Sequence, residues 1–228
     1  AAASDPGGFE SIVYGASPIA APVLDAALQR FGPVLVQIYG QSEAPMTLTC
    51  LHKADHALPD ERRLSAGRPW RTVLVEVRDE DGRACAPGEV GEVVVRGTHH
   101  MTGYHGMPDA TAEVMRAGWI HTRDAGRIDE SGFVHLLGRM DEMIVSGGFN
   151  VSPREVEQVL ADHPDVADCV VAGVPDERWG TAIVAVLRAR PESGLSDAEV
   201  IDFARPRLGF RTPKRVLMVG SIARNAYG

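Results

Sequence analysis

Between Pro22 and Phe31 the apolar residues Val23, Leu24, Ala27, Leu28 and Phe31 fall on one face at helical spacing, with Pro22 near the start and Gly32 at the stop. The pattern predicts a helix. The run Val34-Leu35-Val36-Gln37-Ile38 then reads as a short buried strand, and the polar Gly40-Gln41-Ser42-Glu43 follows at its carboxyl end, where α/β sheets bind ligands. From about Cys50 to Pro69 no period holds, and an irregular connection is expected. At Thr72 the texture changes to strands: Val73 to Val77, a turn near Asp81-Gly82, and Val90 to Val95. Thr111 to Arg116 reads as a short helix, Trp119 to His121 and Phe133 to Leu137 as strands. This stretch is expected to form a β subdomain.

After Gly138 the pattern changes again. Glu142 to Ser146 and Phe149 to Val151 flank Gly147-Gly148, a pair that can take positive φ and turn a hairpin. Ser152-Pro153-Arg154-Glu155 is a helix start: Ser152 can cap, Pro153 suits the first helical position, and Glu155 can return a hydrogen bond to Ser152. Val156, Val159 and Leu160 form the apolar stripe. Val166 to Val174, Ala182 to Leu187 and Val216 to Val219 read as strands, and Ser196-Asp197-Ala198-Glu199 opens a second helix. Two helices with about three strands make a compact α+β unit.

Composition bounds the function. The 228 residues are 44% apolar and 24% charged, a balance that suits one large globular domain or two small ones. A formal charge of −8 argues against general affinity for nucleic acid or anionic membrane, whose electrostatic attraction needs excess Lys and Arg. Cys50, Cys85 and Cys169 are far apart and outside any Cys-x-x-Cys pairing, which disfavours a disulfide framework or a structural zinc site. No apolar run is long enough to span a bilayer and the first residues lack the pattern of a secretion signal, so a cytoplasmic protein is expected. The opening Ala1-Ala2-Ala3, without Met, suits a piece of a longer or processed chain.

The string from Gly138 to Glu157 joins a polar pivot, a glycine-turned hairpin and a capped helix. Taken with Tyr39-Gly40-Gln41-Ser42-Glu43 and Arg224-Asn225-Ala226-Tyr227-Gly228, it resembles the adenylate-forming acyl-CoA synthetase family, over roughly Ile12 to Gly228. The resemblance implies an α/β and α+β protein. Residues 1–138 would be the end of a large nucleotide-binding domain including the β subdomain, and 139–228 a small mobile α+β domain hinged at Arg139–Asp141. The implied reaction joins a carboxylic acid, fatty or aromatic, to CoA at the expense of ATP through an acyl-adenylate.

That chemistry brings two anions together, so it needs donors on phosphate and a cation to neutralise charge. Ser42 supplies a hydroxyl where similar synthetases usually have Thr, Glu43 a hard oxygen ligand for Mg²⁺, and Tyr39 a ring face for adenine. By the same resemblance the small-residue loop Gly15-Ala16-Ser17-Pro18 would lie against the base. In Trp119-Ile120-His121-Thr122-Arg123-Asp124-Ala125-Gly126, Asp124 would accept from both ribose hydroxyls; Arg123 stands where the family usually has Gly. Arg139 would contact ribose, Asp141 would be the hinge residue, and Gly147 and Gly148 would let pantetheine pass. As residues alone, Gly147-Gly148 equally fit a tight turn.

Two parts of the family pattern are missing from the 228 residues. The run Arg224 to Gly228 stops where the family's catalytic Lys would follow, and no glycine-rich phosphate loop precedes Tyr39, which implies that these residues alone do not catalyse adenylation. Arg205, Arg207, Arg211, Lys214 and Arg215 form one dense basic stretch, either a solvated face or a contact for the phosphates of CoA. His99-His100 reads as a loop pair. An adenylation domain that loads a carrier-protein thiol, or a non-catalytic nucleotide-binding module, would share these features.

Overall fold

The computed structural model describes residues 8–17 and 19–223; Pro18 and the run Arg224 to Gly228 lie outside the described residues. The chain divides into two compact units, 1–136 and 137–228.

In the first unit, β1 (Ile12–Gly15) is parallel to β2 (Leu35–Gln41), and α1 (Ala21–Phe31) makes the crossover between them. Parallel neighbours need such a connection, and here it is cut to length by Pro22 in the first turn and by Gly32 (φ 75°), whose N–H bonds to the Leu28 carbonyl. β2 turns directly into antiparallel β3 (Ala44–Leu51), which pairs with β4 (Arg68–Pro69) to complete a four-stranded sheet. A second sheet runs β5 (Val73–Arg78), β6 (Gly91–Gly97), β8 (Trp119–Ile128), β7 (Met115–Arg116), with β9 (Val134–Arg139) also on β8. The helix α2 (Pro108–Val114) precedes β7. Tyr39, Ala44 and Leu48 from the first sheet share one core with Val73, Val77, Val93, Val95, Ile120 and Val134 from the second. Each fully buried aliphatic side chain there contributes about 1.5–3 kcal/mol, and this shared core fixes the two sheets relative to each other.

Several expectations are corrected. The stretch from Cys50 to Pro69 is irregular only between its ends: Cys50 and Leu51 close β3, Arg68–Pro69 form β4, and the connection between them holds 3₁₀ turns at Lys53–Ala57 and Glu61–Leu64. Strand β3 escapes a periodicity test because Pro45 and the left-handed Met46 (φ 63°) break its first half, while Leu48 to Leu51 are buried without alternation. The short helix spans Pro108–Val114 rather than Thr111 to Arg116, and β8 runs ten residues rather than three.

The second unit opens with the hairpin β10 (Ile144–Ser146) and β11 (Phe149–Val151), whose register Ser146↔Phe149 leaves Gly147 (φ 59°) and Gly148 (φ 83°) as a two-residue loop. Positive φ at both positions is what such a turn requires, and only glycine takes it freely. The helix α3 (Pro153–Ala161) is capped by Ser152 Oγ, which accepts from the Glu155 N–H at 3.2 Å and donates to the Leu137 carbonyl. Glu155 does not return the expected bond to Ser152; its carboxylate pairs with Arg211. The sheet is β12 (Val166–Asp176), β13 (Gly180–Ala189) and β14 (Arg215–Met218), antiparallel then parallel, with α4 (Asp197–Leu208) crossing between the last two. The reciprocal cap appears on α4, between Ser196 and Glu199. Val156 and Leu160 of α3, Val200, Ala204 and Leu208 of α4, and Ile183, Ala185 and Leu187 of β13 form its core. Among the described residues no helix is long and apolar enough to cross a membrane.

Candidate nucleotide site

Because β1 and β2 are parallel, both run toward the same side of the sheet: β1 ends at Gly15, opposite Ile38, and β2 continues to Gln41 before its turn. Close approach there is enforced by glycine. A Cβ on Gly15 would sit 2.3 Å from the Ile38 carbonyl oxygen, and one on Gly40 would sit 2.4 Å from the Met46 nitrogen. Ala16 follows in the left-handed region (φ 65°), so the loop leaves the strand sharply before Ser17. Behind it, the Tyr14 hydroxyl bonds to Nε2 of buried His56 at 3.0 Å, while His56 Nδ1 bonds to the His52 carbonyl at 2.9 Å. That arrangement makes Nδ1–H the donor and Nε2 the acceptor. Burial pushes the Tyr14 phenol up to about 12 and holds His56 below its ordinary value.

Tyr39, near the end of β2, is 9% exposed, and its hydroxyl donates to Asp124 Oδ2. Asp124 reaches it because β8 is bulged. Glu92 pairs with Ala125 and Val94 with His121, so Thr122, Arg123 and Asp124 together oppose Val93 alone. Thr122 Oγ1 closes the bulge by donating to the Val93 carbonyl at 2.7 Å and accepting from the Asp124 N–H at 3.0 Å. Arg123 takes the left-handed conformation (φ 59°), which explains physically why glycine suits this place. Its N–H donates to Glu92 Oε1 at 3.0 Å, and its guanidinium makes an exposed pair with Glu113 at 3.1 Å.

Ser42 and Glu43 form the turn between β2 and β3, with Ser42 exposed and Glu43 half-buried. Sequence reasoning missed Tyr104, whose hydroxyl donates to Glu43 Oε1 at 2.5 Å, while the Met101 N–H donates to the Glu43 carbonyl at 2.7 Å. The Glu43 carboxylate, by accepting that bond, holds the Tyr104 phenol above its ordinary value. No spacing in the sequence links position 104 to 43.

Among the described residues no group of three or more His, Cys, Asp or Glu could hold a metal ion. A lone Glu43 carboxylate beside the exposed Ser42 hydroxyl fits Mg²⁺, which is commonly bound through one or two carboxylates together with substrate phosphates. It does not fit a dedicated all-protein cation cage. His100 spends Nδ1 on the Met101 carbonyl at 2.8 Å.

The remaining candidates belong to the second unit. Arg139 and Asp141 are exposed where β9 gives way to a 3₁₀ turn at Met140–Glu142. The Gly147 N–H donates to the Trp179 carbonyl at 3.0 Å, and a Cβ on Gly147 would meet the Trp179 ring at 3.3 Å. Lys214 Nζ lies 4.6 Å from the centroid of that ring and donates to the Phe210 carbonyl at 2.8 Å. Desolvation, then the Arg178 charge, holds Lys214 below its ordinary value. The basic stretch is engaged within its own unit: Arg205 with Asp202, Arg207 with Phe203, and Arg211 with Glu155.

The fold of the two units is similar to that of solved adenylate-forming enzymes. The chain belongs to the AMP-binding enzyme family: the profile of that family matches residues 1–105, and the profile of its C-terminal domain matches residues 155–228. It is similar to the medium/long-chain-fatty-acid–CoA ligase FadD8 of Mycobacterium tuberculosis, 44% identical over 96% of this chain and 40% of that protein. It is also similar to the fatty acid–[acyl-carrier-protein] ligase ScoC of Streptomyces coeruleorubidus, 41% identical over 95% of this chain and 42% of that one. Among solved structures, o-succinylbenzoate CoA synthetase (MenE) from Bacillus subtilis, in complex with its acyl-adenylate intermediate, superimposes with a TM-score of 0.86 at 31% identity. That likeness covers 97% of this chain and 44% of the other. The chain thus spans less than half the length of these relatives.

Proposed function

We propose that the chain is the carboxyl-terminal part of an ATP-dependent acyl-CoA ligase, which converts a carboxylic acid, ATP and CoA to acyl-CoA, AMP and pyrophosphate. The observation that carries this reading is the hydrogen bond from Tyr39 to Asp124, with Tyr39 near the carboxyl end of a strand parallel to β1 and four residues before Glu43. In this reading the small-residue loop Gly15-Ala16-Ser17 borders adenine and Tyr39 offers it a ring face. Asp124 accepts from the two ribose hydroxyls, exchanging its Tyr39 partner for the cis-diol. Ser42 donates to the α-phosphate, and Glu43 is the protein ligand to Mg²⁺, which when bound neutralises phosphate charge.

The first half-reaction joins the substrate carboxylate to the α-phosphorus and expels pyrophosphate. In the second, the thiol adds to the acyl carbon and AMP leaves. One site must therefore admit two attacking groups in turn, and a swivelling small domain satisfies that need. Arg139, as a ribose contact, and Asp141, as the pivot, occupy a short exposed turn suited to a change of φ/ψ, and Gly147 and Gly148 leave the hairpin tip without side chains for pantetheine. The likeness to ScoC favours one second reading, in which a carrier-protein thiol replaces CoA. The test is to supply the full-length protein with ATP, Mg²⁺ and a panel of fatty and aromatic acids, then free CoA or a holo carrier protein. Acid-dependent pyrophosphate exchange with thioester formed on CoA supports the first reading, thioester on the carrier the second, and no exchange with any acid a non-catalytic nucleotide-binding module.

A further inference from the structure

We propose that Tyr104 is the positioning residue for Glu43, holding its carboxylate in the orientation that receives a divalent cation; the inference rests on the reading of Glu43 as the metal ligand. The loop from Met101 to Met107, ahead of α2, is tied to the turn of the β2–β3 hairpin at two points, the backbone bond from Met101 and the side-chain bond from Tyr104. Its own shape is set independently of that turn. Thr111 Oγ1 accepts the Tyr104 N–H at 2.9 Å and donates to the Met107 carbonyl at 2.8 Å. Gly103 (φ 150°) sits so close to Thr111 that a Cβ would fall 3.0 Å from its methyl. Tyr104 therefore approaches Glu43 from a clamped frame, and its rigid ring delivers the hydroxyl to one carboxylate oxygen.

A glutamate on a two-residue turn otherwise samples several rotamers, and fixing it costs conformational entropy that the free protein has already spent here. A carboxylate offers about four acceptor positions. One phenol hydroxyl uses a single position on Oε1 and leaves capacity for a cation. A neutral donor is also the right partner: an Arg or Lys in its place would compete with the cation for the carboxylate charge.

The experiment is Mn²⁺ binding to the full-length protein, followed by the electron paramagnetic resonance signal of free Mn²⁺ in the presence of a non-hydrolysable ATP analogue. Wild type, Tyr104→Phe and Glu43→Gln are compared, and metal-free affinity for the analogue is measured alongside. Tyr104→Phe keeps the ring and removes one charge-assisted hydrogen bond, so the Mn²⁺ dissociation constant rises about tenfold while metal-free nucleotide affinity is unchanged. An unchanged or lower Mn²⁺ dissociation constant in Tyr104→Phe, with Glu43→Gln strongly weakened, overturns the role of Tyr104 and leaves Glu43 as the ligand. No effect in Glu43→Gln removes the metal-ligand reading itself. A loss of metal-free nucleotide affinity in Tyr104→Phe would mark a general structural role and overturn the inference as well.

Discussion

Replacing Thr122 by Val probes the bulge that aims Asp124 across at Tyr39. The Thr122 residue is 2% exposed, and its hydroxyl serves two partners, the Val93 carbonyl at 2.7 Å and the Asp124 N–H at 3.0 Å. Val fills nearly the same volume, so no cavity opens and the loss is polar. Each buried group deprived of its partner costs about 1–3 kcal/mol, which places the destabilisation of the first unit at about 3 kcal/mol for the two together. Thr122→Ser keeps both bonds and loses one methyl, for about 1 kcal/mol. Urea melts followed by circular dichroism read the difference. Because the bulge also orients Asp124, the Val variant binds ATP more weakly than the Ser variant does. A Val variant that melts within about 0.5 kcal/mol of wild type would refute the reasoning, since the hydroxyl would then not be what holds the bulge.

His56 makes stability depend on pH. Its folded value lies below that of the unfolded chain, so the unfolded state binds the extra proton on acidification; stability is full above the ordinary histidine value of about 6.5 and declines as pH falls from there towards the folded value. Melts between neutral and mildly acid pH check this, and His56→Gln flattens the dependence across that window. Asp141→Pro fixes φ in the short turn after β9; in the full-length protein, pyrophosphate exchange survives while thioester formation falls at least about tenfold, as the proposed second half-reaction needs the turn to move.

What the sequence discloses, and what it hides, follows from how local each signal is. The Ser152 cap, the Gly147-Gly148 turn and the Ser196-Glu199 box are each determined within a few neighbouring residues, and all three are present. Strand β8 was legible only at Trp119 to His121, because the bulge at 122–124 interrupts the alternation that identifies a strand. The far half of β3 was hidden by burial on both faces. The Glu155 expectation failed since a residue 56 positions away, Arg211, competes for its carboxylate. Tyr104 was invisible for the same reason: 61 residues separate it from Glu43, and only the folded β subdomain brings them together. Arg123 is the reverse case, an oddity plain in the sequence whose meaning, a left-handed backbone position, needed the structure.

The most direct test of the account is the affinity of the full-length protein for ATP with and without the Asp124 carboxylate, measured calorimetrically for wild type and Asp124→Ala. Two charge-assisted hydrogen bonds to the ribose diol are lost in the variant, so the dissociation constant should rise by about a hundredfold, while 2′,3′-dideoxy-ATP, which lacks the diol, binds both proteins alike. Equal affinity of wild type and variant for ATP would contradict the assignment of Asp124 to the nucleotide site.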